Sequence, residues 1–178
     1  FNANVTYNKN RITALYNGVT EFVNSTTGFK YMVGHPVSEY YYNRYAGVNP
    51  ANGTQLWYDK DGNLTDEMLE SDKVMTGKSH DPAWWGGFGL DFGWKGLQLS
   101  AQFSWMAERW IVNNDRYFDE NSAVAQGYNK SRRLLYDRWK QPGDVTDIPK
   151  YGEVLQFDDR LLEDASFLRL KNLSLSYS

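Results

Sequence analysis

The sequence predicts an all-β chain, in which antiparallel strands form a segment of a transmembrane β-barrel with long external loops. Three observations predict it. Two consecutive stretches alternate between apolar and polar residues and are joined by a very short turn. Aromatic residues make up 16% of a chain whose mean hydropathy is only -0.66. Short and long connections follow one another in the order that barrel strands need.

The alternating pair lies between Trp84 and Glu108. In Gly86–Trp94, Phe88, Leu90, Phe92 and Trp94 alternate with Gly87, Gly89, Asp91 and Gly93. After Lys95-Gly96, Leu97, Leu99, Ala101, Phe103 and Trp105 alternate with Gln98, Ser100, Gln102 and Ser104. Period-2 patterning on both sides of a two-residue link is a hairpin signal. Each arm is about 9–11 residues long, which a tilted strand needs to cross a bilayer. Phe88, Leu90, Phe92, Leu97, Leu99 and Phe103 are therefore expected to face lipid, and the Gly, Ser, Gln and Asp positions a wet lumen. A soluble antiparallel sheet gives the same alternation.

Phe1–Asn8 repeats the pattern, with Phe1, Ala3, Val5 and Tyr7 set against Asn2, Asn4, Thr6 and Asn8. Asparagine is depleted in ordinary strands, and a hydrated face tolerates it. At the other end, Leu173, Leu175 and Tyr177 alternate with Asn172, Ser174 and Ser176, while Leu168 and Leu170 have the opposite parity. A β-bulge near Lys171-Asn172 accounts for the slip; so does a strand whose upper part leaves the bilayer. The expected crossings are thus near residues 1–9, 86–94, 97–107 and 167–178. Loops near 10–83 and 109–165 lie outside, because barrel turns are short on the periplasmic side and long on the outer side. Within the first loop, Tyr40–Ala46 and Gln55–Tyr58 read as short strands and Asp59–Asn63 as a tight turn. The second carries a short helix around Ser131–Trp139. Beginning at Phe1 and stopping within a strand pattern, the chain is expected to be an excised segment.

Composition excludes several other classes. A net charge of -3 gives no electrostatic footprint for nucleic acid. Without cysteine there is no disulfide framework, thiol catalysis or thiolate metal site. No stretch approaches about 18 consecutive apolar residues, so transmembrane helices are not expected. Nor is an enzyme: His35 and His80 are the only histidines, and neither an H-x-x-x-H spacing nor a Gly-x-Ser-x-Gly elbow occurs. Both histidines read as solvated loop residues. No cofactor is implied. Asp59, Asp61, Asn63 and Glu70 have the spacing of calcium-loop ligands, but the glycine required at the sixth position is Leu64, which favours a plain turn. Asn-x-Ser/Thr matches such as Asn24-Ser25-Thr26 are expected in an Asn-rich chain.

Aromatic side chains of the loops give large contact area at low entropic cost. Tyr42, Trp57, Tyr58, Tyr117, Tyr128 and Trp139, with the charged Asp115 and Arg116, are the candidate contacts for cargo or partner. The same rings can instead pack the loops against one another.

The series of blocks along the chain resembles the C-terminal part of the barrel in SusC/RagA-type TonB-dependent transporters of Bacteroidetes. It runs through Val5–Arg11, Gly34-His35-Pro36-Val37, Tyr45–Pro50 with Gly53, and Tyr58–Asn63. It continues with Gly86-Gly87-Phe88, Trp94–Leu97, Asp137-Arg138-Trp139 and Asp147–Pro149, ending in Glu163–Leu175. The resemblance implies a plugged barrel of about 22 strands in the bacterial outer membrane, touching lipid and lipopolysaccharide. It implies import of oligosaccharide or peptide, glycan being the first expectation. The implied partners are a SusD-like surface lipoprotein and the TonB complex, the latter engaged through parts that these residues do not match. The competing reading is a soluble β-sandwich carbohydrate-binding module, in which the apolar faces meet a second sheet.

Overall fold

The computed structural model describes residues 1–24, 29–124 and 126–178; Ser25 and Thr26 of the Asn24-Ser25-Thr26 match lie outside them. In chain order the first loop and its flanks carry β1 (Asn2–Tyr7), β2 (Glu21–Val23), β3 (Lys30–Met32), β4 (Glu39–Tyr42), β5 (Arg44–Val48), β6 (Gln55–Tyr58), β7 (Leu64–Thr65) and β8 (Val74–Ser79). The hairpin is β9 (Trp84–Trp94) and β10 (Leu97–Ala107). Then come β11 (Trp110–Val112), α1 (Asn114–Glu120), α2 (Arg132–Tyr136), β12 (Leu162–Asp164) and β13 (Phe167–Tyr177). The chain divides into two compact units, one of Phe1–Tyr40, Gly77–Ile111 and Asp164–Ser178, the other of Tyr41–Thr76 and Val112–Glu163.

The first unit is built on a four-stranded antiparallel sheet in the order β1-β9-β10-β13. It is an open sheet, with β1 and β13 as its edges. Lys95 and Gly96 both have positive φ, 44° and 85°. That is the conformation of a two-residue type I′ turn, whose twist matches the strands it joins. The parity slip in the last strand is a β-bulge. Opposite Gln102 and Phe103 stand Asn172 and Leu170, so Lys171 is left without a partner in the ladder. The bulge returns Leu168 and Leu170 to the face that carries Leu173 and Leu175. A small β2-β3 ribbon belongs to the same unit, held by Phe22 stacked on Tyr31 and by a 2.9 Å ion pair from Lys30 to Glu21.

The second unit is made from both long loops. A β5-β6-β7 sheet supplies its regular part, and Val48, Trp57, Leu134, Ile148, Leu155, Leu161 and Leu162 form its core. The single strand expected over Tyr40–Ala46 is split. Asn43 interrupts it, fully buried, with its side-chain amide donating to the Leu69 carbonyl at 2.7 Å. The helix expected around Ser131–Trp139 is shorter: Ser131 caps it by accepting from the Arg133 amide, and it ends at Tyr136. α1 is additional to the elements that the sequence predicts. Its signal is Asn113, whose side chain accepts from the Arg116 amide at 2.9 Å, followed by Asp115 in the first turn.

Candidate functional site

The register of the large sheet sorts its side chains into two chemically distinct faces. On one, cross-strand rows read Tyr7–Trp84–Ala107, then Val5–Gly86–Trp105–Leu168, Ala3–Phe88–Phe103–Leu170, Leu90–Ala101–Leu173, Phe92–Leu99–Leu175 and Trp94–Leu97–Tyr177. All six residues expected to face lipid lie here. Aromatic rings crowd both ends of the face, and aliphatic side chains dominate its centre. Rows are two residues apart, ~6.8 Å along a strand. Five steps make ~34 Å, which projects to ~24 Å at a tilt of about 45°, close to the ~25 Å apolar band of outer-membrane barrels. The face is also uncovered: Phe92 is 62% exposed and Leu175 67%.

The other face reads Asn2–Gly89–Gln102–Asn172, Asn4–Gly87–Ser104–Arg169, Asp91–Ser100–Ser174 and Gly93–Gln98–Ser176. Ser100 donates to Asp91 at 2.7 Å, and Asn4 accepts from the Gly87 amide at 2.9 Å. At its loop end this face turns apolar, with Trp85, Met106 and Phe167 in one row beside Thr6. Two glycines of β9 are required by close approach. A Cβ at Gly86 would meet the Asn4 carbonyl and the Trp105 indole, and one at Gly89 would meet the side chains of Asn2 and Gln102.

The second unit is organised around a charge network. Arg116 reaches Glu120 at 3.0 Å, Asp147 at 2.8 Å and the Arg160 carbonyl at 3.0 Å. Arg133 grips both oxygens of Asp147 at 2.8 Å and also pairs with Glu120, which is 4% exposed. Burial by itself would raise the Asp147 carboxyl. The hydrogen bonds from Arg133 and the charges of Arg133 and Arg116 outweigh that, and hold it below the usual carboxylate range. Asp158 goes the other way. It is fully buried, and desolvation pushes its carboxyl up despite Arg160 nearby and a 2.9 Å hydrogen bond donated by the Trp57 indole. Burial also pushes the Tyr45 phenol up to about 12, against the opposing charge of Arg160, whose guanidinium lies 4.3 Å from the ring centroid.

The expected contact residues are thus dispersed among different tasks. Trp57 is 5% exposed and anchors Asp158. Arg116 belongs to the charge network, and Tyr117 stacks on Phe157 at 4.1 Å. Trp139 donates to the Pro50 carbonyl at 3.0 Å and lies against Gly53, where no Cβ would fit. Tyr42 closes β4, half-buried. Asp115 is exposed in the first turn of α1. Tyr58 and Tyr128 are exposed, the former beneath the Arg44 guanidinium.

The calcium-spaced residues do not converge as a ligand set. Asp59 accepts from the amides of Asp61 and Asn63 and from the Asn63 side chain, closing the turn on itself, while Glu70 pairs with Lys73 at 2.7 Å. Among the described residues no set of three His, Asp or Glu could hold a metal ion. His35 is not merely solvated: its Nδ1 lies 2.9 Å from the buried Glu39, which also accepts from the Gly77 amide at 2.7 Å. His80 is exposed beside Arg109 at 3.3 Å.

Comparison with known proteins gives a consistent set of structural neighbours. A chain of the RagAB peptide transporter superposes with a TM-score of 0.88 at 41% sequence identity, covering 98% of this chain and 20% of its own length. Chains of the RagAB peptide importer in its "closed-closed" and "open-open" states are each 42% identical over 98% of this chain, with TM-scores of 0.86 and 0.87. The chain therefore spans about a fifth of the length of the proteins it matches. No family profile matches it, and neither does any curated protein sequence.

Proposed function

From a chain of the SusC/RagA type, we propose that these residues form part of the wall and outer loops of an outer-membrane importer of oligopeptides. The observation that carries the proposal is the two-faced sheet: an apolar face of bilayer height with aromatic ends, backed by a face of Ser, Gln, Asn and Gly that suits a wet lumen. Its open edges support the same reading. The free edges of β1 and β13 in an apolar wall need neighbours, and further strands closing a barrel of about 22 supply them. In a sandwich a second sheet would cover the apolar face. None does so among the described residues, which favours lipid as the neighbour.

Peptide replaces glycan as the preferred cargo because the neighbours that match at 41–42% identity are peptide transporters. The similar fit to neighbours in closed and open states supports a further point. This segment acts as the fixed side of the transport cycle, and the moving parts lie elsewhere, in a surface lipoprotein lid and in the elements that engage the TonB complex.

The test is uptake by whole cells carrying the intact protein, with fluorescent decapeptides and labelled maltodextrins as parallel probes. Energy-dependent accumulation of peptide, with the protein in the outer-membrane fraction, is the expected result. Accumulation of the sugar alone, or a protein found outside that fraction, would overturn the proposal.

A further inference from the structure

In the second unit an open groove of about 610 Å³ is lined by Lys130, Ser131, Arg132, Leu134, Leu135, Tyr136, Arg138 and Tyr151. Three of these are cations and none is a carboxylate. The acids nearest in sequence have other partners: Asp137 meets Arg133 at 3.7 Å, Asp144 accepts from the Lys140 and Gln141 amides, Asp147 pairs with Arg116 and Arg133, and Glu153 pairs with Lys150 at 3.3 Å. Arg132 and Arg138 make no ion pair among the described residues.

Both guanidiniums are nonetheless held in place. Arg132 sits over the Tyr136 ring, 5.0 Å from its centroid. Arg138 sits 5.9 Å from that of Tyr151, and its Nη1 donates to the Leu134 and Leu135 carbonyls. Leu135, Tyr136 and Tyr151 are each more than half exposed. Aromatic rings and arginines are the residue types that dominate binding hot spots. A guanidinium already fixed by a ring loses little freedom when it grips a carboxylate.

We propose that this groove docks a segment of a partner polypeptide in which carboxylates alternate with apolar or aromatic side chains. The apolar side chains would enter between Leu135, Tyr136 and Tyr151, and the carboxylates would meet Arg132 and Arg138. Charge complementarity selects this occupant. A chain of net charge -3 concentrates unpaired arginines here, which suits neither a lipid tail nor an uncharged sugar. The inference concerns a docking surface and holds whichever cargo is carried.

The experiment uses the intact protein in detergent and two fluorescein-labelled dodecapeptides, one alternating Glu with Leu and Phe, the other with Gln in place of every Glu. The Glu peptide is expected to bind at least tenfold more tightly than the Gln peptide. Arg132→Glu, an exposed change, should weaken it about tenfold, and Tyr151→Ala severalfold. Equal affinity for the two peptides, or unchanged binding by both variants, would overturn the proposal. A photo-cross-linker at Leu135 in cells adds an independent arm. Cross-links to an acidic segment of a second protein support the inference, provided that Arg132→Glu abolishes them. Cross-links confined to the protein's own chain, or to cargo peptide alone, overturn it.

Discussion

The two units of this chain solve the burial problem in opposite ways. The sheet of the first unit keeps its large side chains on the outside: Phe92, Trp94, Leu173 and Leu175 are exposed, and the register lines them up on one face. The second unit buries polar and charged groups instead, with Asn43, Glu120, Asn121 and Asp158 as enclosed as Leu155 or Leu161. An exposed apolar face is stable only where its surroundings are apolar. A charged core is stable only where each member keeps its partner. The difference predicts that the two units fail under different perturbations.

The largest effect is expected at Glu120. Its buried carboxylate joins Arg116 to Arg133, and Glu120→Ala leaves both guanidiniums without it. Breaking a buried pair from one side costs about 3–5 kcal/mol. The lower end applies here, because Arg133 is partly exposed and keeps Asp147. Hydrogen exchange in the intact protein should show faster exchange across residues 112–163, with the β9 and β10 amides unchanged. Glu120→Gln, which retains one acceptor, should recover part of the loss. Faster exchange in the sheet as well would show that the two units do not fail separately.

The next effect separates the faces of the sheet. Ala101 lies in one of the two middle rows of the apolar face and Gln102 on the polar face, next to each other on β10. Ala101→Arg should cost about 2–4 kcal/mol when the protein folds into lipid vesicles, the range for a charge at the bilayer midplane. Gln102→Arg should cost less than about 1 kcal/mol. Equal costs would mean that the apolar face does not meet lipid. The comparison needs the intact protein, since these strands leave two sheet edges unpaired.

The same contrast explains what the sequence made legible. Alternation in β9, β10 and β13 follows the two faces of one sheet, apolar on one side and polar on the other, so it is written in every second residue. Even the bulge at Lys171 announced itself, as a break in parity between Leu170 and Leu173. The second unit has no such period. Trp57 read as an exposed contact ring because its neighbours Leu56 and Tyr58 say nothing of Asp158, a hundred positions away. Nothing beside Glu120 or Asp147 in the chain marks their roles, for the same reason: their partners are fixed by tertiary geometry. Nothing in the sequence links Arg132, Tyr136 and Arg138 to Tyr151, because the groove joins a helix to a turn well downstream. α1 was legible in principle through Asn113-Asn114-Asp115, a capping signal easily lost in an Asn-rich chain.

The smallest effect, and the one with a sign to distinguish, is the acid response of the second unit. The Asp147 carboxyl is held low when folded, so its contribution is fully present above the ordinary carboxylate value of about 4. It is lost as pH falls through the lower, folded value. Asp158 is pushed up by burial, so the folded state binds its proton more tightly than the unfolded chain. Its favourable contribution is present below about 4 and is lost as pH rises through the raised value. The neutral variants should therefore diverge. Asp147→Asn lowers the melting point of the second unit near neutrality, and the deficit closes below pH ~4. Asp158→Asn keeps an acceptor for the Trp57 indole and removes the charge, so it gains on the parent as pH rises from about 4 towards neutrality. Melting of the 5-fluorotryptophan-labelled protein, followed at the Trp57 fluorine resonance between pH 3 and 7, tests both. Parallel curves for Asp158→Asn and parent would show that Arg160 and Trp57 compensate the buried charge fully, and that only the Asp147 arm of the network responds to acid.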